Sequence, residues 1–337
     1  MKKYLKLIWR TNTLVGLRMR IARIRARLDI FYRMRLMERR ITDFESNFYY
    51  EVEDEAVWLP KIMGLEETLE YIYKKKCSVC RYGDGEFELI AGRDMSFETA
   101  NIEMQQRLAG ILANPILNCL CCIPNIFGSL ARYQSGDIVY WRQAVVWMRP
   151  LLKKYLSRAY SARDTSGAIL GDPQISRPYL GVSDKSIAPR VFGLWKKLWE
   201  GRHLLIVEGR YSRLGIGNDL FDGASSIRRI WCPAINAYAK YDEILSAVKK
   251  EAQKGDLILI ALGATATILA YDLAKCGYQA IDVGHLDVEY MWMKMGATEK
   301  VAIPGRYVNE AADGHEKKTI DGEAERNAVI RDLSWIS

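Results

Sequence analysis

The chain has 337 residues, of which 49% are hydrophobic, 27% charged and 11% aromatic. That balance excludes a disordered chain, a collagen-like repeat and a small disulfide scaffold, and the length supplies core for one large domain or two ordinary ones. A net charge of +8 would fit a nucleic-acid binder if it were spread evenly. It is not: residues 1–40 hold thirteen Lys and Arg against Asp29 and Glu38, a net of +11, which leaves −3 on the other 297 residues.

Within that basic segment, Leu14, Leu17, Ile21, Ile24, Leu28 and Phe31 are spaced 3, 4, 3, 4, 3, the stripe of an amphipathic helix. Arg18, Arg20, Arg23, Arg25, Arg27, Arg33 and Arg35 fill most of the rest. Three readings compete: a helix lying on an anionic membrane surface, a helix docking on a partner protein or forming a coiled coil, and an arm contacting nucleic acid. The regular apolar stripe favours the first two, because a nucleic-acid arm has no use for it. Nowhere does an uncharged apolar run reach the 18–20 residues of a membrane span, and Lys6 and Arg10 interrupt the first apolar stretch. The expectation is a cytoplasmic protein, peripheral at the inner face of the plasma membrane if the arm binds lipid.

Seven cysteines, an odd number scattered through apolar runs, fit a reducing compartment. Cys77 and Cys80 form a CxxC, and Cys119, Cys121 and Cys122 cluster further on. Both groups sit in strand-like runs, where residues three apart point to opposite faces, so a shared structural zinc is disfavoured.

From residue 64 the chain alternates helix-period and strand-like runs. Helices are expected over 64–76, 98–113, 136–157, 187–200, 241–253 and 265–275. Strands are expected over 77–82, 117–123, 203–208, 227–232, 256–262 and 280–283. Continuous apolar strands between helices imply an α/β fold with a mostly parallel sheet covered on both faces. In such sheets sites form beyond the C-terminal strand ends.

Four of those ends carry chemistry. The first leads into Arg81-Tyr82-Gly83-Asp84-Gly85-Glu86-Phe87, where an extended segment would put Asp84 and Glu86 on one face, able to share Mg²⁺ or Mn²⁺. A solvated Gly-Asp-Gly turn is the simpler alternative. The strand ending at Glu208 opens Gly209-Arg210-Tyr211-Ser212-Arg213-Leu214-Gly215-Ile216-Gly217-Asn218-Asp219, with the glycines, amide and guanidinium groups of an anion site or of a capped surface loop. After Leu262 come Gly263 and Thr265, which suit close approach to a nucleotide or tight strand–helix packing. After Val283 come His285, Asp287 and Glu289, candidates for a general base or for sugar hydroxyl contacts, with helix capping by Asp287 as the alternative. Arg177, in Ser176-Arg177-Pro178-Tyr179, is placed to reach a phosphate or to serve as a structural loop residue.

Taken together, RYGDGEF (81–87), SRPY (176–179), EGRYSRLGIGNDLF (208–221), CPAINAYAKYDEIL (232–245) and the run from 259 to 290 resemble the GT-D-fold glycosyltransferases, bacterial enzymes first catalogued as a domain of unknown function. The resemblance covers about residues 65–300. It implies a Rossmann-like sheet, a UDP-hexose donor, a glycan acceptor (lipid- or protein-linked) and a divalent metal, Mn²⁺ or Mg²⁺, held by Asp84 and Glu86. It also implies that Arg213 and Arg177 add positive charge at the diphosphate, and that His285, Asp287 and Glu289 face the acceptor or the transferred sugar. Arg81, Gly83, Gly217, Asn218, Asp219, Gly263 and Thr265 complete the expected substrate contacts. One departure stands out: where the family often carries an acid after Glu-Tyr, this chain has Met291. If that acid were the base, the protein would use Asp287 or Glu289 instead, or be a catalytically impaired sugar-nucleotide-binding scaffold. The expected organisation is a basic helical arm (1–60), a glycosyltransferase domain (61–305) and a C-terminal tail (306–337), in bacterial surface polysaccharide or glycoprotein biosynthesis.

Overall fold

The computed structural model describes residues 24–34, 37, 61–126, 130–156, 169–308, 310–311, 313–314 and 322–335. The chain divides into two units, Met1–Val57 and Trp58–Ser337. In the first, residues 24–34 form helix α1. Its apolar side chains Ile24, Leu28 and Phe31 are all more than half exposed, and Arg33 pairs with Asp29 one turn earlier at 2.9 Å. Leu14, Leu17, Ile21 and the basic residues before position 24 lie outside the described residues. Among those described, no helix is long and apolar enough to cross a membrane.

The second unit runs α2 (Leu65–Lys75), β1 (Ser78–Arg81), α3 (Asp84–Ile90), α4 (Ile102–Ala113), β2 (Cys119–Cys122), α5 (Ser135–Leu156), β3 (Leu170–Gly171), α6 (Ala188–Trp199) and β4 (His203–Gly209). It continues with β5 (Ser226–Cys232), α7 (Tyr241–Glu251), β6 (Leu257–Ala261), α8 (Ala264–Lys275), β7 (Gln279–Asp282), α9 (Leu286–Met295), α10 (Glu323–Asn327) and β8 (Val329–Asp332). Every apolar run expected to be a strand is one. The helix expected from residue 98 begins only at Ile102, because the Asn101 side chain accepts the Met104 N–H and caps it there.

The strands form one sheet in the order β3-β2-β1-β7-β6-β4-β5-β8, and every pairing is parallel. Both faces are covered, which is why the central strands are apolar without alternation. On one face Leu204, Ile206, Leu257, Leu259 and Ile281 pack with Ile72 of α2, Trp195 of α6 and Trp292 of α9. The other face carries α4, α7 and α8, with α8 against β1 and β7. The strand cysteines lie in this interior: Cys80 Sγ is 3.2 Å from Cys119 Sγ, and burial pushes the Cys77 thiol up to about 12.

The segment expected to be a tail supplies the eighth strand. β8 pairs with β5, and the Leu333 N–H donates to the Trp231 carbonyl at 2.7 Å. Its four residues, Val-Ile-Arg-Asp, are half exposed on the sheet edge and too polar to stand out as a buried strand.

Candidate active site

A cavity of about 660 Å³ opens at the C-terminal ends of β1, β4, β6 and β7. It lies where the strand order reverses, with β1, β2 and β3 on one side and β7, β6 and β4 on the other. Four separate segments expected to carry chemistry meet in its wall: Arg81–Glu86, Arg177, Gly263 and Gly284–Glu289.

The Asp-Gly-Glu segment is not extended, as its spacing implied. It is the first turn of α3, and Glu86 curls back so that its Oε2 accepts the Gly83 N–H at 2.6 Å. Residues two apart on a helix diverge by roughly 200°, yet this capping bond returns Glu86 to the cavity beside Asp84, and both line it. Asp84 Oδ2 accepts the Tyr140 hydroxyl at 2.7 Å. Burial pushes the Glu86 carboxyl up, against the pull of Arg81. Among the described residues, Asp84, Glu86 and neighbouring Asp137 have no salt bridge within the protein. No cluster of three or more His, Cys, Asp or Glu among the described residues encloses a metal position. Asp84 and Glu86 thus offer two carboxylates on the cavity wall, a donor set that would suit a hard cation such as Mg²⁺ if substrate phosphate and water completed its ligands.

Arg81 is held above Gly284. Gly284 has φ +48°, and a Cβ there would fall 2.6 Å from Arg81 Nε. The guanidinium lies 3.8 Å from Asp282, and its buried Nε has no hydrogen-bond partner among the described residues. Burial raises Asp282 to about 7 despite that neighbour.

The three residues after β7 reach the cavity in different roles. Asp287, in the first turn of α9, accepts from the Gly215 N–H (2.9 Å) and Asn218 Nδ2 (2.8 Å) through Oδ1, and pairs through Oδ2 with Arg306. With both oxygens engaged and 2% exposure, it is a positioning residue for the loop after β4. Asp287 is not the cap; His285 occupies that position. Glu289 Oε2 accepts the Tyr179 and Leu180 N–H groups, each at 2.9 Å, and so fixes the Arg177 loop; burial raises its pKa. His285 Nδ1 is 2.8 Å from Arg177 Nη2, and Nε2 is 3.2 Å from Glu310 Oε1.

The loop after β4 departs most from expectation. Arg213, Gly217, Asn218 and Asp219 are not in the cavity wall; Gly209, Ser212 and Leu214 are. Arg213 turns away and donates to the Gly305 carbonyl at 2.8 Å. Asn218 serves Asp287, and Asp219 faces Lys196 (2.8 Å), Lys294 (3.2 Å) and the Tyr290 hydroxyl (2.9 Å). Within the protein the loop is held by buried charge: Glu208 accepts the Leu214 N–H and pairs with Arg229 at 2.6 Å. At Gly263, φ is +54° and a Cβ would meet the Phe97 ring at 2.5 Å, so close packing of Phe97 decides the glycine. Thr265 is fully buried and donates to Glu98 Oε2 at 3.0 Å. Burial raises Glu98 to about 7.

Sequence reasoning missed Glu98, Asp137, Tyr140, Lys300, Arg306 and Glu310. Only Asp137 carried a local signal, as an acid in the first turn of a long helix. Met291, the departure from the family pattern, packs against the core and is outside the cavity wall.

Comparison with known proteins agrees with this architecture. The family model described as "Glycosyltransferase GT-D fold" matches residues 79–311. The chain is 34% identical over 294 residues to glycosyltransferase GlyD of Streptococcus pneumoniae serotype 4 (strain ATCC BAA-334 / TIGR4), covering 87% of this chain and 35% of that protein. It is 36% identical over 274 residues to the probable glycosyl transferase Gly of Streptococcus gordonii, covering 81% of this chain and 39% of that protein. The chain thus spans just over a third of the length of these curated relatives. A solved domain of unknown function 1792, described as having a distinct glycosyltransferase fold, superposes with a TM-score of 0.72 at 38% identity, covering 81% of this chain and 96% of that one. A glycosyltransferase of the same domain from Streptococcus sanguinis gives 0.74 at 35% identity, covering 82% and 100%. The chain belongs to the GT-D-fold glycosyltransferase family.

Proposed function

We propose that this glycosyltransferase moves a hexose from a UDP-sugar to a growing glycan of a bacterial surface polysaccharide or glycoprotein, with Mn²⁺ or Mg²⁺ held at Asp84 and Glu86. The observation that carries the reading is that Asp84, Glu86 and Asp137 share the cavity wall and none forms a salt bridge with a described residue. Carboxylates on that wall would weaken diphosphate binding beside them, and a divalent cation there would offset the repulsion. Asp84 and Glu86 would hold such a cation, which would supply positive charge against the charge developing on UDP. The chain's own groups do the rest. The Tyr140 hydroxyl orients the Asp84 carboxylate, and the Asp287 and Glu289 hydrogen bonds fix two loops of the cavity wall. The acceptor oxygen bonds to the anomeric carbon as the bond to UDP breaks. The acceptor proton passes to Glu289 Oε1, the oxygen not used on the Tyr179 and Leu180 amides; a buried, raised-pKa carboxylate is a stronger base than an exposed one. UDP release from a panel of UDP-sugars with Mn²⁺, in the presence of candidate acceptors, tests the proposal. Turnover that survives EDTA and the Asp84→Ala change would refute the metal role.

We further propose that the basic arm rests on anionic membrane, supported by exposed Ile24, Leu28 and Phe31 alongside Arg25, Arg27 and Arg33. Flotation with anionic liposomes, lost on deleting residues 1–40, is the expected result; equal flotation with neutral lipid would contradict it.

A further inference from the structure

Glu310 reaches the cavity from the segment after α9, and three basic side chains converge on it. Arg177 forks both its oxygens, Lys300 Nζ is 2.7 Å from Oε2, and His285 Nε2 is 3.2 Å from Oε1. Together these partners overcome burial and hold its carboxyl far below the usual range. The pairing is not needed to place Arg177, whose loop is already fixed by the Glu289 bonds to Tyr179 and Leu180. Nor is it needed to shape its own segment, which turns through backbone bonds among Val308, Ala311 and Gly314. A guanidinium fork, an ammonium and an imidazole around one pair of oxygens are the ligands a phosphoryl group takes. Arg177 also lies within electrostatic range of Asp84.

We propose that Arg177, Lys300 and His285 form an oxyanion subsite for the donor diphosphate, and that Glu310 occupies it as an internal stand-in until substrate displaces it. The inference rests on the nucleotide-sugar reading. A carboxylate-bearing sugar would offer the same chemistry, but adjacency to Asp84, where a cation would meet the diphosphate, favours phosphate.

Calorimetry of the full chain with inorganic pyrophosphate, in EDTA so that no divalent metal contributes, tests this directly. Glu310→Gln and Glu310→Ala should each bind pyrophosphate at least about tenfold tighter than wild type, because one charge-assisted competitor is gone. Arg177→Gln added to Glu310→Gln should erase the gain. Methyl glucuronate should gain less than pyrophosphate; the reverse order would overturn the diphosphate assignment. A Glu310→Gln protein that melts like wild type and binds pyrophosphate no tighter would overturn the subsite. Should both Glu310 variants fail to fold, hydrogen exchange of wild type decides. Pyrophosphate should speed exchange at Val308, Ala311 and Gly314, and unchanged or slower exchange there would contradict displacement. Tighter pyrophosphate binding without turnover of any UDP-sugar would leave the subsite standing and defeat only the proposed reaction.

Discussion

Asp287 separates a chemical role from a positioning one. Its carboxylate takes two hydrogen bonds on Oδ1 and the Arg306 guanidinium on Oδ2, at 2% exposure. Asp287→Ala removes one half of a buried ion pair and leaves the Arg306 charge 4% exposed, with the Arg213 and Ile216 carbonyls as its remaining partners among the described residues. Breaking such a pair from one side costs about 3–5 kcal/mol. For a domain of this size that is a fall in Tm of roughly 6–15 °C. Asp287→Asn should cost less, about 2–3 kcal/mol, because Oδ1 still accepts while the amide NH₂ faces a guanidinium donor. Adding Arg306→Met to Asp287→Ala should recover part of the loss, since no orphan charge then remains. Thermal melting and urea denaturation of the four proteins measure this. An Asp287→Ala protein as stable as wild type but inactive would refute the positioning argument and make Asp287 a reacting group.

Other perturbations follow from the same geometry. Gly284→Ala must place a Cβ at φ +48° and displace Arg81, and should destabilise by about 2–4 kcal/mol in urea denaturation, combining left-handed strain with overpacking; a loss under about 0.5 kcal/mol would contradict the close contact. Glu98 has its pKa raised from 4.5 to about 7 by burial, so the native state keeps a proton that the unfolded chain releases between those values. Its contribution is therefore complete below about pH 4.5 and is lost as pH rises through 7. Glu98→Gln should flatten the fall in Tm between pH 5.5 and 8 relative to wild type, and an unchanged slope would contradict the raised pKa. Tyr140→Phe removes the hydroxyl bond to Asp84 and should weaken Mn²⁺ binding severalfold while leaving Tm within about 2 °C; unaltered metal affinity would argue against that orienting bond.

The sheet was legible in the sequence because its strands are apolar runs with turn signals at each end, and a parallel sheet buried on both faces makes such runs unavoidable. The location of the cavity followed from the same rule. What pattern reading did not show was which partner each polar side chain chooses. Asp84 and Glu86 looked extended because α3 is only seven residues long, too short for a helical period to emerge. The Glu three residues after Gly83 was the available capping signal. Asp287 resembled a reacting group, but both its oxygens are taken by a backbone N–H, an amide and an arginine distant in sequence, whereas Glu289 spends only Oε2 on backbone N–H groups. Arg213 and Asp219 sit in a glycine-rich turn that suggests an anion site, yet the turn is held by the Glu208–Arg229 pair and by Asp287. Glu310 and Arg306 lie in a stretch with no periodicity, where only folding reveals what they meet.

The central claim is that Asp84 and Glu86 anchor a cation between the protein and a UDP-sugar. Titration of Mn²⁺ into the full chain with UDP present, followed by calorimetry or by loss of the free-ion spin-resonance signal, tests it most directly. One Mn²⁺ should bind per chain, more tightly with UDP than without, and Asp84→Ala and Glu86→Gln should each weaken it at least about tenfold. Equal Mn²⁺ affinity in wild type and in folded Asp84→Ala protein would contradict the account.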